Sequence, residues 1–306
     1  MSFFKGVIAT LFLFLTLLLI NLLQISSLIV KPFSPPLFRR VNRLFANTWW
    51  GLCAWGAEKI HGVRVLLSGD ELPVRESSIV ILNHQTMTDI PVLFSLAKSK
   101  GRLGDLKWFV KDVIKYVPGI GWGMLFLDCL FIKRNWMKDQ DHIHRVFKNI
   151  LDHSIPLWLV TFAEGTRLTP ANLEQSRAYA AKQGLAPFRH LLIPRTKGFV
   201  VSTQSLCDHV DAVYDLTIGY VNEIPSLWQW VKGEVQSVHL YVRRFPKEML
   251  PTEAKDLAQW LLDLFKEKDR LLENFYQNGV FSSHRTNSPG VYPKVFETFP
   301  SIFPRP

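Results

Sequence analysis

The sequence has little of what would hold a disulfide framework, a metal ion or a catalytic serine. Its three cysteines, Cys53, Cys129 and Cys207, are scattered over 306 residues without any C-x-x-C spacing. This scatter argues against disulfides and against a cysteine zinc site, and it is compatible with a reducing compartment. The sequence also lacks a G-x-S-x-G elbow, so a serine nucleophile of the hydrolase kind is not expected.

Acidic residues are also scarce relative to basic ones. The chain has 26 acidic against 36 basic residues, a formal net charge of +10. Such a balance favours an anionic partner, either nucleic acid or a membrane surface with anionic headgroups. A binding module for nucleic acid is the weaker alternative, because several cations cluster beside an apolar segment and no nucleic-acid-binding motif is present.

That apolar segment contains no charge from Val7 to Val30. A helix of this length measures about 36 Å, enough to cross a hydrocarbon core of about 30 Å. A cleaved signal peptide is the alternative, but its apolar region is usually only about 7–15 residues. Lys5 precedes the segment, and Lys31, Arg39 and Arg40 follow it. The positive-inside rule then predicts a single N-terminal span with the rest of the chain in the cytoplasm. If the source is bacterial, the membrane would be the inner one.

Residues 37–52 predict an amphipathic helix. Its apolar face comprises Leu37, Phe38, Val41, Leu44, Phe45, Trp49 and Leu52, and its polar face Arg39, Arg40, Asn42 and Arg43. Such a helix suits the membrane interface, and it equally suits packing on the protein's own core. Both interpretations stay open.

Beyond residue 60, strand-like and helical patterns alternate, which predicts an α/β domain with a covered sheet. The predicted strands are 63–67, 78–82, 125–132, 157–162, 212–220 and 235–242, and the predicted helices cover 91–98, 143–151 and 252–276. The segment from residue 279 is rich in proline, serine and aromatic residues without a regular period. We expect that tail to be loop or partly ordered.

Chemically active side chains follow several of these strands, where loops can bring them into one site. His84 is followed five residues later by Asp89, a spacing that is near chance for a chain with nine histidines. The other clusters are Lys133-Arg134, then Glu164 to Arg167, then Arg195 and Lys197. Arginine and lysine at these positions would suit a phosphorylated substrate. His142 and His144 lack a matching acidic set, so we expect a solvated helix face and no metal site there.

The blocks NHQTMTD, FIKR, FAEGTR and RTKGF resemble, in order and spacing, those of glycerolipid acyltransferases with the HxxxxD motif. AKQGLAPFRHLLIPRTKGF and AVYDLTIGY are similar to the 1-acylglycerol-3-phosphate acyltransferase branch that contains the gamma, delta and epsilon animal enzymes and bacterial relatives. The resemblance covers roughly residues 60–280. It departs at Ala163, where the family usually has proline, and at Ala212-Val213-Tyr214, which replaces a block with proline.

The resemblance implies a role for individual residues. His84 matches the family's general base and Asp89 the carboxylate that orients it. Binding of the acyl acceptor is implied for a larger set, comprising Arg134, Glu164, Gly165, Thr166, Arg167, Lys111 and Lys197. The implied fold is a mixed sheet covered by helices, preceded by a membrane helix and an interfacial helix. The implied domains are a membrane anchor in 1–60, an acyltransferase domain in 61–278 and the tail in 279–306.

The implied reaction is transfer of an acyl group from a thioester to the sn-2 hydroxyl of 1-acylglycerol 3-phosphate, giving phosphatidate. The acyl donor would be acyl-CoA or acyl carrier protein, with no cofactor and no metal. A second possibility keeps the chemistry with another lysophospholipid, such as lysophosphatidylglycerol or a lysocardiolipin. A third, from a different class, is a membrane-binding module without catalysis. The bilayer is the expected partner, and the sequence does not indicate an oligomeric state.

Overall fold

The structure, a computed structural model, describes residues 2–133 and 135–281. Its centre is a seven-stranded sheet with the spatial order β1-β7-β6-β2-β5-β3-β4. The strands are β1 Arg64–Gly69, β2 Ser78–Leu82, β3 Leu106–Lys111, β4 Leu130–Ile132, β5 Trp158–Thr161, β6 Ala212–Gly219 and β7 Ser237–Pro246. This mixed α/β architecture confirms the fold class predicted from the alternating pattern.

Helices cover both faces of the sheet. They are α1 Ser2–Ser26, α2 Pro35–Trp55, α3 Asp89–Ser99, α4 Ile120–Leu125, α5 Trp136–Asp152, α6 Pro170–Lys182, α7 Thr196–Leu206, α8 Leu227–Lys232 and α9 Ala254–Asn278. One core layer packs α2 and α3 against the sheet, and the opposite layer packs α5, α7 and α9 against it. The hydrophobic core is therefore split by the sheet into two layers.

Strand direction collects the predicted site residues at one edge of the sheet. β2 runs parallel to both β5 and β6, and β3 runs parallel to β5 and β4. The central strands β2, β5 and β6 are buried along their whole length, as parallel strands covered on both faces must be. The residues that follow β2, β3, β4, β5 and β6 thus emerge at the same edge, where ligands bind in open α/β sheets.

The segment Phe3–Ile29 is long and apolar enough to cross a membrane. It does not stand apart from the domain. Gly6 packs against Trp228 and Lys232 of α8, and at the other end Gln24 donates a hydrogen bond to the Gly123 carbonyl. The folded domain therefore flanks α1 along about 27 Å of its axis, from residue 6 to residue 24.

The second helix combines both interpretations of its amphipathic pattern. Its buried face consists of Phe38, Asn42, Ala46, Trp50 and Ala54. Asn42, predicted on the polar face, is fully buried because its amide donates to the Ser27 hydroxyl and the Phe38 carbonyl. Leu37 and Leu44, predicted on the apolar face, remain 47% and 59% exposed. The helix packs on the protein and still presents apolar side chains outward.

Several elements differ from the predicted ones. β3, α6 and α7 were not predicted, and the 125–132 strand is reduced to Leu130–Ile132, because α4 extends to Leu125 and residues 126–128 form a turn. The predicted domain boundaries at residues 60 and 278 stay predictions. The tail prediction lies outside the described residues from position 282 onward.

Candidate active site

His84 and Asp89 form a hydrogen-bonded pair at the carboxyl end of β2. The His84 Nδ1 atom lies 3.0 Å from Asp89 Oδ2, and the Asp89 side chain is fully buried. The backbone amides of Gln85 and Thr86 also donate to Asp89 Oδ2, at 2.7 and 2.9 Å. A carboxylate that accepts from all these donors makes Nδ1 the protonated ring nitrogen. His84 Nε2 then carries the lone pair, and the side chain is 13% exposed.

A tyrosine completes the set of donors around Asp89. The Tyr220 hydroxyl donates to Asp89 Oδ1 at 2.8 Å and lies 2.9 Å from the Thr88 hydroxyl. Burial raises the pKa of Tyr220 well above its usual value, so the phenol stays protonated as a donor. Tyr220 follows β6, the neighbour of β2 on the side opposite β5.

The turn that carries His84 is tied down on either side of the histidine. The Asn83 side chain exchanges two hydrogen bonds with the backbone of Ile218, and the Thr86 hydroxyl donates to the Pro225 carbonyl at 2.7 Å. The ring of His84 stacks on Phe162, with 4.0 Å between ring centroids. These contacts fix the orientation of the imidazole before any substrate binds.

Glu164 holds the histidine's backbone. Its Oε1 accepts from the His84 amide at 2.7 Å, and its Oε2 accepts from the Leu192 amide at 2.8 Å. Burial raises the pKa of the Glu164 carboxyl to about 8, although both amide donors oppose that shift. Glu164 therefore supports the loop that carries His84, and the contact with the acyl acceptor that the resemblance implied stays a prediction.

The rest of the Glu164 turn is shaped for close packing. Gly165 has φ +71°, and a Cβ there would lie 2.9 Å from Arg195 Nε. The Arg195 amide donates to the Ala163 carbonyl at 2.7 Å, which fixes the start of α7 beside this turn. The Thr166 hydroxyl is partly exposed and accepts from Asn172 at 3.5 Å, and Arg167 is exposed.

The remaining predicted cations lie at the same edge to differing degrees. Lys111 is exposed at the end of β3, two strands from β2, and Lys197 is exposed in the first turn of α7. Within the described ranges, no hydrogen bond or ion pair engages either amine. Arg134 lies outside the described residues. The roles predicted for all these residues stay predictions.

Sequence reasoning missed two tyrosines. Tyr220 ends the predicted strand 212–220, so its position after a strand was a usable signal. Tyr276 gave no signal, because it reaches the site only through the docking of α9. Its hydroxyl accepts from Gln85 Nε2 at 2.9 Å. Gln85 adjoins His84, so the last helix contacts the turn that carries His84 directly.

Two family models match this chain. A family model described as Acyltransferase matches residues 64–221, and one described as Acyltransferase C-terminus matches residues 229–299. Similar curated proteins include the probable 1-acyl-sn-glycerol-3-phosphate acyltransferase 5 of Arabidopsis thaliana. It is 35% identical over 263 residues, which cover 86% of this chain and 70% of that protein.

A human relative and a bacterial structure extend the comparison. The human 1-acyl-sn-glycerol-3-phosphate acyltransferase gamma is 35% identical over 269 residues, covering 86% of this chain and 72% of that protein. The crystal structure of the acyltransferase PlsC from Thermotoga maritima has a TM-score of 0.50 and 15% identity. The structural match covers 89% of this chain and 98% of the PlsC chain, and it shows that the two proteins share a fold. This chain belongs to the acyltransferase family, together with the curated 1-acyl-sn-glycerol-3-phosphate acyltransferases.

Proposed function

We propose that this acyltransferase moves a fatty acyl group from an acyl thioester to the sn-2 hydroxyl of 1-acyl-sn-glycerol 3-phosphate. The products are phosphatidate and the free thiol carrier. Membership in a family whose curated relatives are named for this acceptor supports the choice. The observation that carries the mechanism is the His84–Asp89 pair, in which the carboxylate engages Nδ1 and the imidazole side chain is 13% exposed.

In the proposed step, His84 Nε2 removes the proton of the acceptor hydroxyl as its oxygen attacks the thioester carbonyl. The C–O bond forms, the C–S bond breaks, and the imidazolium returns the proton to the thiolate. Asp89 stabilises the imidazolium through Nδ1, as in the histidine–aspartate half of a hydrolase triad. A histidine suits this role because its unperturbed pKa of about 6.5 permits proton uptake and return near neutrality.

The phosphate of the acceptor would be bound by cations at the same sheet edge. Arg167 is exposed in the Glu164 turn. Lys197 is exposed in the first turn of α7, which is held beside that turn by the hydrogen bond from the Arg195 amide to the Ala163 carbonyl. We propose Arg167, Lys197, Lys111 and Arg134 for this role, and Thr166 and the Gly165 backbone as lining of the acceptor site. Guanidinium groups pair with phosphate oxygens through two parallel hydrogen bonds. A dianionic phosphate monoester uses such a set more fully than a phosphodiester.

The second candidate acceptor is another lysophospholipid. A panel of purified lipids separates the two: lysophosphatidate, lysophosphatidylglycerol and a lysocardiolipin, each offered with acyl-CoA and with acyl carrier protein. We expect the highest kcat/KM for lysophosphatidate. A clear preference for a diester headgroup would contradict the proposed acceptor while leaving the transfer chemistry intact.

The catalytic role of His84 has a direct test in the same assay. His84→Ala should lower kcat by about 1,000-fold or more, since it removes the general base that Asp89 orients. Membrane association and apparent Tm should stay close to those of the wild type. His144→Ala, on the exposed face of α5, is the matched control. Near-normal turnover by His84→Ala would refute the mechanism.

We also propose that the transfer requires no metal and no cofactor. Proton transfer by histidine and expulsion of a thiolate need no Lewis acid in this scheme. Exhaustive chelation followed by gel filtration should leave the rate unchanged. A loss of activity that added divalent cation restores would overturn this part of the proposal.

For localisation, we propose an integral membrane protein whose segment Phe3–Ile29 crosses once, with α8 packed against it at Gly6, and whose catalytic site lies on the cytoplasmic side. The charge distribution around the segment supports this orientation. Maleimide labelling of a cysteine placed at Phe3, from either side of sealed vesicles, tests it. Labelling from the side of the catalytic domain would contradict a crossing.

A further inference from the structure

The buried and exposed faces of α1 are reversed relative to a helix in water. Its protein-facing side carries Asn21 and Gln24, and Ser27 follows directly after the helix; these three residues are 2%, 1% and 6% exposed. Its outward side carries apolar residues such as Ile8 and Leu22, which are 67% and 60% exposed. Polar residues turned inward and apolar residues turned outward are typical of a helix surrounded by lipid.

A second element packs against the polar side of this helix. It is the 112–125 hairpin, which consists of a 3-10 turn at Asp112–Tyr116 followed by α4 at Ile120–Leu125. A Cβ on Gly119 would lie 2.8 Å from Leu17, and the Gly123 carbonyl accepts from Gln24 Nε2 at 3.4 Å. The absent side chain at 119 lets the hairpin backbone approach the helix closely. The hairpin is thereby fixed beside the second half of α1.

The outer surface of the hairpin is apolar. Six large side chains are exposed there: Val113 61%, Tyr116 70%, Val117 42%, Ile120 50%, Trp122 38% and Leu125 52%. The only charged residues of the hairpin, Asp112 and Lys115, form an ion pair with 2.7 Å between Nζ and Oδ1, which leaves the hairpin without net charge. A concentration of large exposed apolar side chains within one short segment marks an interaction site.

We propose that the 112–125 hairpin inserts into the bilayer beside α1, as a second membrane-embedded element. Residues in contact with Leu17 and Gln24 share the membrane depth of those residues, whatever the tilt of α1. The apolar surface of the hairpin continues that of α1, so one hydrocarbon phase covers both. Lys111, directly before the hairpin, then lies at the level of the lipid headgroups, where cations are favoured. This inference rests on the proposed membrane location of α1 and is independent of the catalytic mechanism.

The depth of the hairpin can be measured without turnover. The full-length protein, with Cys53, Cys129 and Cys207 replaced by alanine, receives a single bimane-labelled cysteine by Ile120→Cys or Val113→Cys. Leu15→Cys, on the outward face of α1, is the reference in lipid. Gln259→Cys, exposed on α9, is the reference in water. The proteins are reconstituted in phosphatidylcholine–phosphatidylglycerol vesicles with or without lipids brominated on the acyl chain.

Brominated lipid should quench bimane at positions 113 and 120 as strongly as at position 15, while iodide should quench mainly at position 259. Quenching of position 120 by iodide to the extent seen at 259 would overturn the proposal. Quenching by neither agent, together with cysteine cross-linking between chains, would assign the surface to a second copy and would also overturn it. A separate transfer assay on the same labelled proteins distinguishes these outcomes from a failure of the proposed reaction.

Discussion

At the scale of single residues, Asp89 is held by more donors than its pairing with His84 requires. Two backbone amides, the His84 ring and the Tyr220 hydroxyl all point at its two oxygens. The amides come from the turn itself, so any residue types could supply them. The Tyr220 hydroxyl comes from the segment directly after β6, and it is the donor that a single substitution can remove while His84 stays in place.

Tyr220→Phe should lower kcat about 10-fold, because a hydrogen bond to a charged group contributes about 1.5–3 kcal/mol. The acidic limb of the kcat/KM pH profile should move to higher pH. Without the phenol donor, the Asp89 carboxylate attracts the proton on His84 more strongly, so the base is freed only at higher pH. Initial rates between pH 5 and 9 measure both effects.

The matched control is Tyr214→Phe in β6, the strand that Tyr220 follows. The Tyr214 hydroxyl donates to Glu76, a carboxylate that precedes β2 and so lies at the opposite edge of the sheet. Its removal should lower stability without moving the pH profile. Equal profiles for the two variants would mean that Tyr220 has a structural role only.

The roles of individual residues were only partly predictable from the sequence. The geometry of His84 with Asp89 agrees with the predicted pairing, since both residues belong to one turn and their spacing is local. The contact of Glu164 with two backbone amides was not predictable, because His84 and Leu192 approach it from distant parts of the chain. The roles of Lys111, Arg167 and Lys197 could not be checked in this way, since these side chains are exposed and have few fixed partners.

At the scale of elements, the Glu164 turn connects β5 to the ends of two other segments. The Glu164 carboxyl is buried, and two charged groups act on its pKa: Lys268 lowers it and Asp89 raises it. Burial raises its pKa to about 8 from the ordinary value of 4.5. Between these pH values the folded chain retains a proton that the unfolded chain releases, so this group's contribution to stability falls as pH rises.

The pH dependence predicts the behaviour of Glu164→Gln. The glutamine stays neutral, so its apparent Tm should vary less between pH 5 and 9 than that of the wild type. It should be lower than the wild type at pH 5, because its NH2 group cannot accept from one of the two buried amides. Thermal unfolding in detergent micelles across this range provides the measurement. Parallel curves for the two proteins would contradict the raised pKa.

The prediction of elements followed hydrophobic periodicity and failed where that signal is weak. Strands β2 and β5 were predicted within a residue at each end, because they are short and mostly apolar runs at the sheet centre. Strand β6 was predicted equally well although Asp215 interrupts it, because its other residues are mostly apolar. The strand β3 contains Lys107, a buried cation that donates to the Leu127 carbonyl, and this charge hid the strand. The short α4 is rich in glycine and is held by α1, a contact between distant segments.

At the scale of the whole molecule, a buried ion network joins the last helix to the sheet. Lys268 of α9 is fully buried, with Nζ 2.6 Å from Asp215 Oδ1 and 2.6 Å from the Leu216 carbonyl. Arg243 of β7 forms an ion pair with the other oxygen of Asp215, with 2.7 Å between its Nη2 and Oδ2. Burial lowers the pKa of Lys268. The network fixes α9, and with it Tyr276 beside the catalytic turn.

Lys268→Met should destabilise the fold by about 3 kcal/mol, since it removes one partner from a buried ion pair. The corresponding fall in apparent Tm is about 6–12 °C for a protein of this size. Thermal unfolding in detergent micelles measures the fall. Lys266→Met, an exposed position on the same helix, is the control and should change Tm little. Similar Tm values for the two variants would show that the network contributes no net stability.

The polar side of α1 that faces the protein determines whether the chain can be truncated before the acyltransferase domain. Asn21, Gln24 and Ser27 are not replaceable by a generic apolar helix, since they satisfy neighbours such as Gly123 and Asn42. Cutting the chain after residue 30 would leave the Leu17 contact at Gly119 empty and the indole of Trp49 without the Leu13 carbonyl that accepts from it. The first helix is thus a packed part of the folded enzyme, and a chain cut after residue 30 would expose the surfaces that this helix covers.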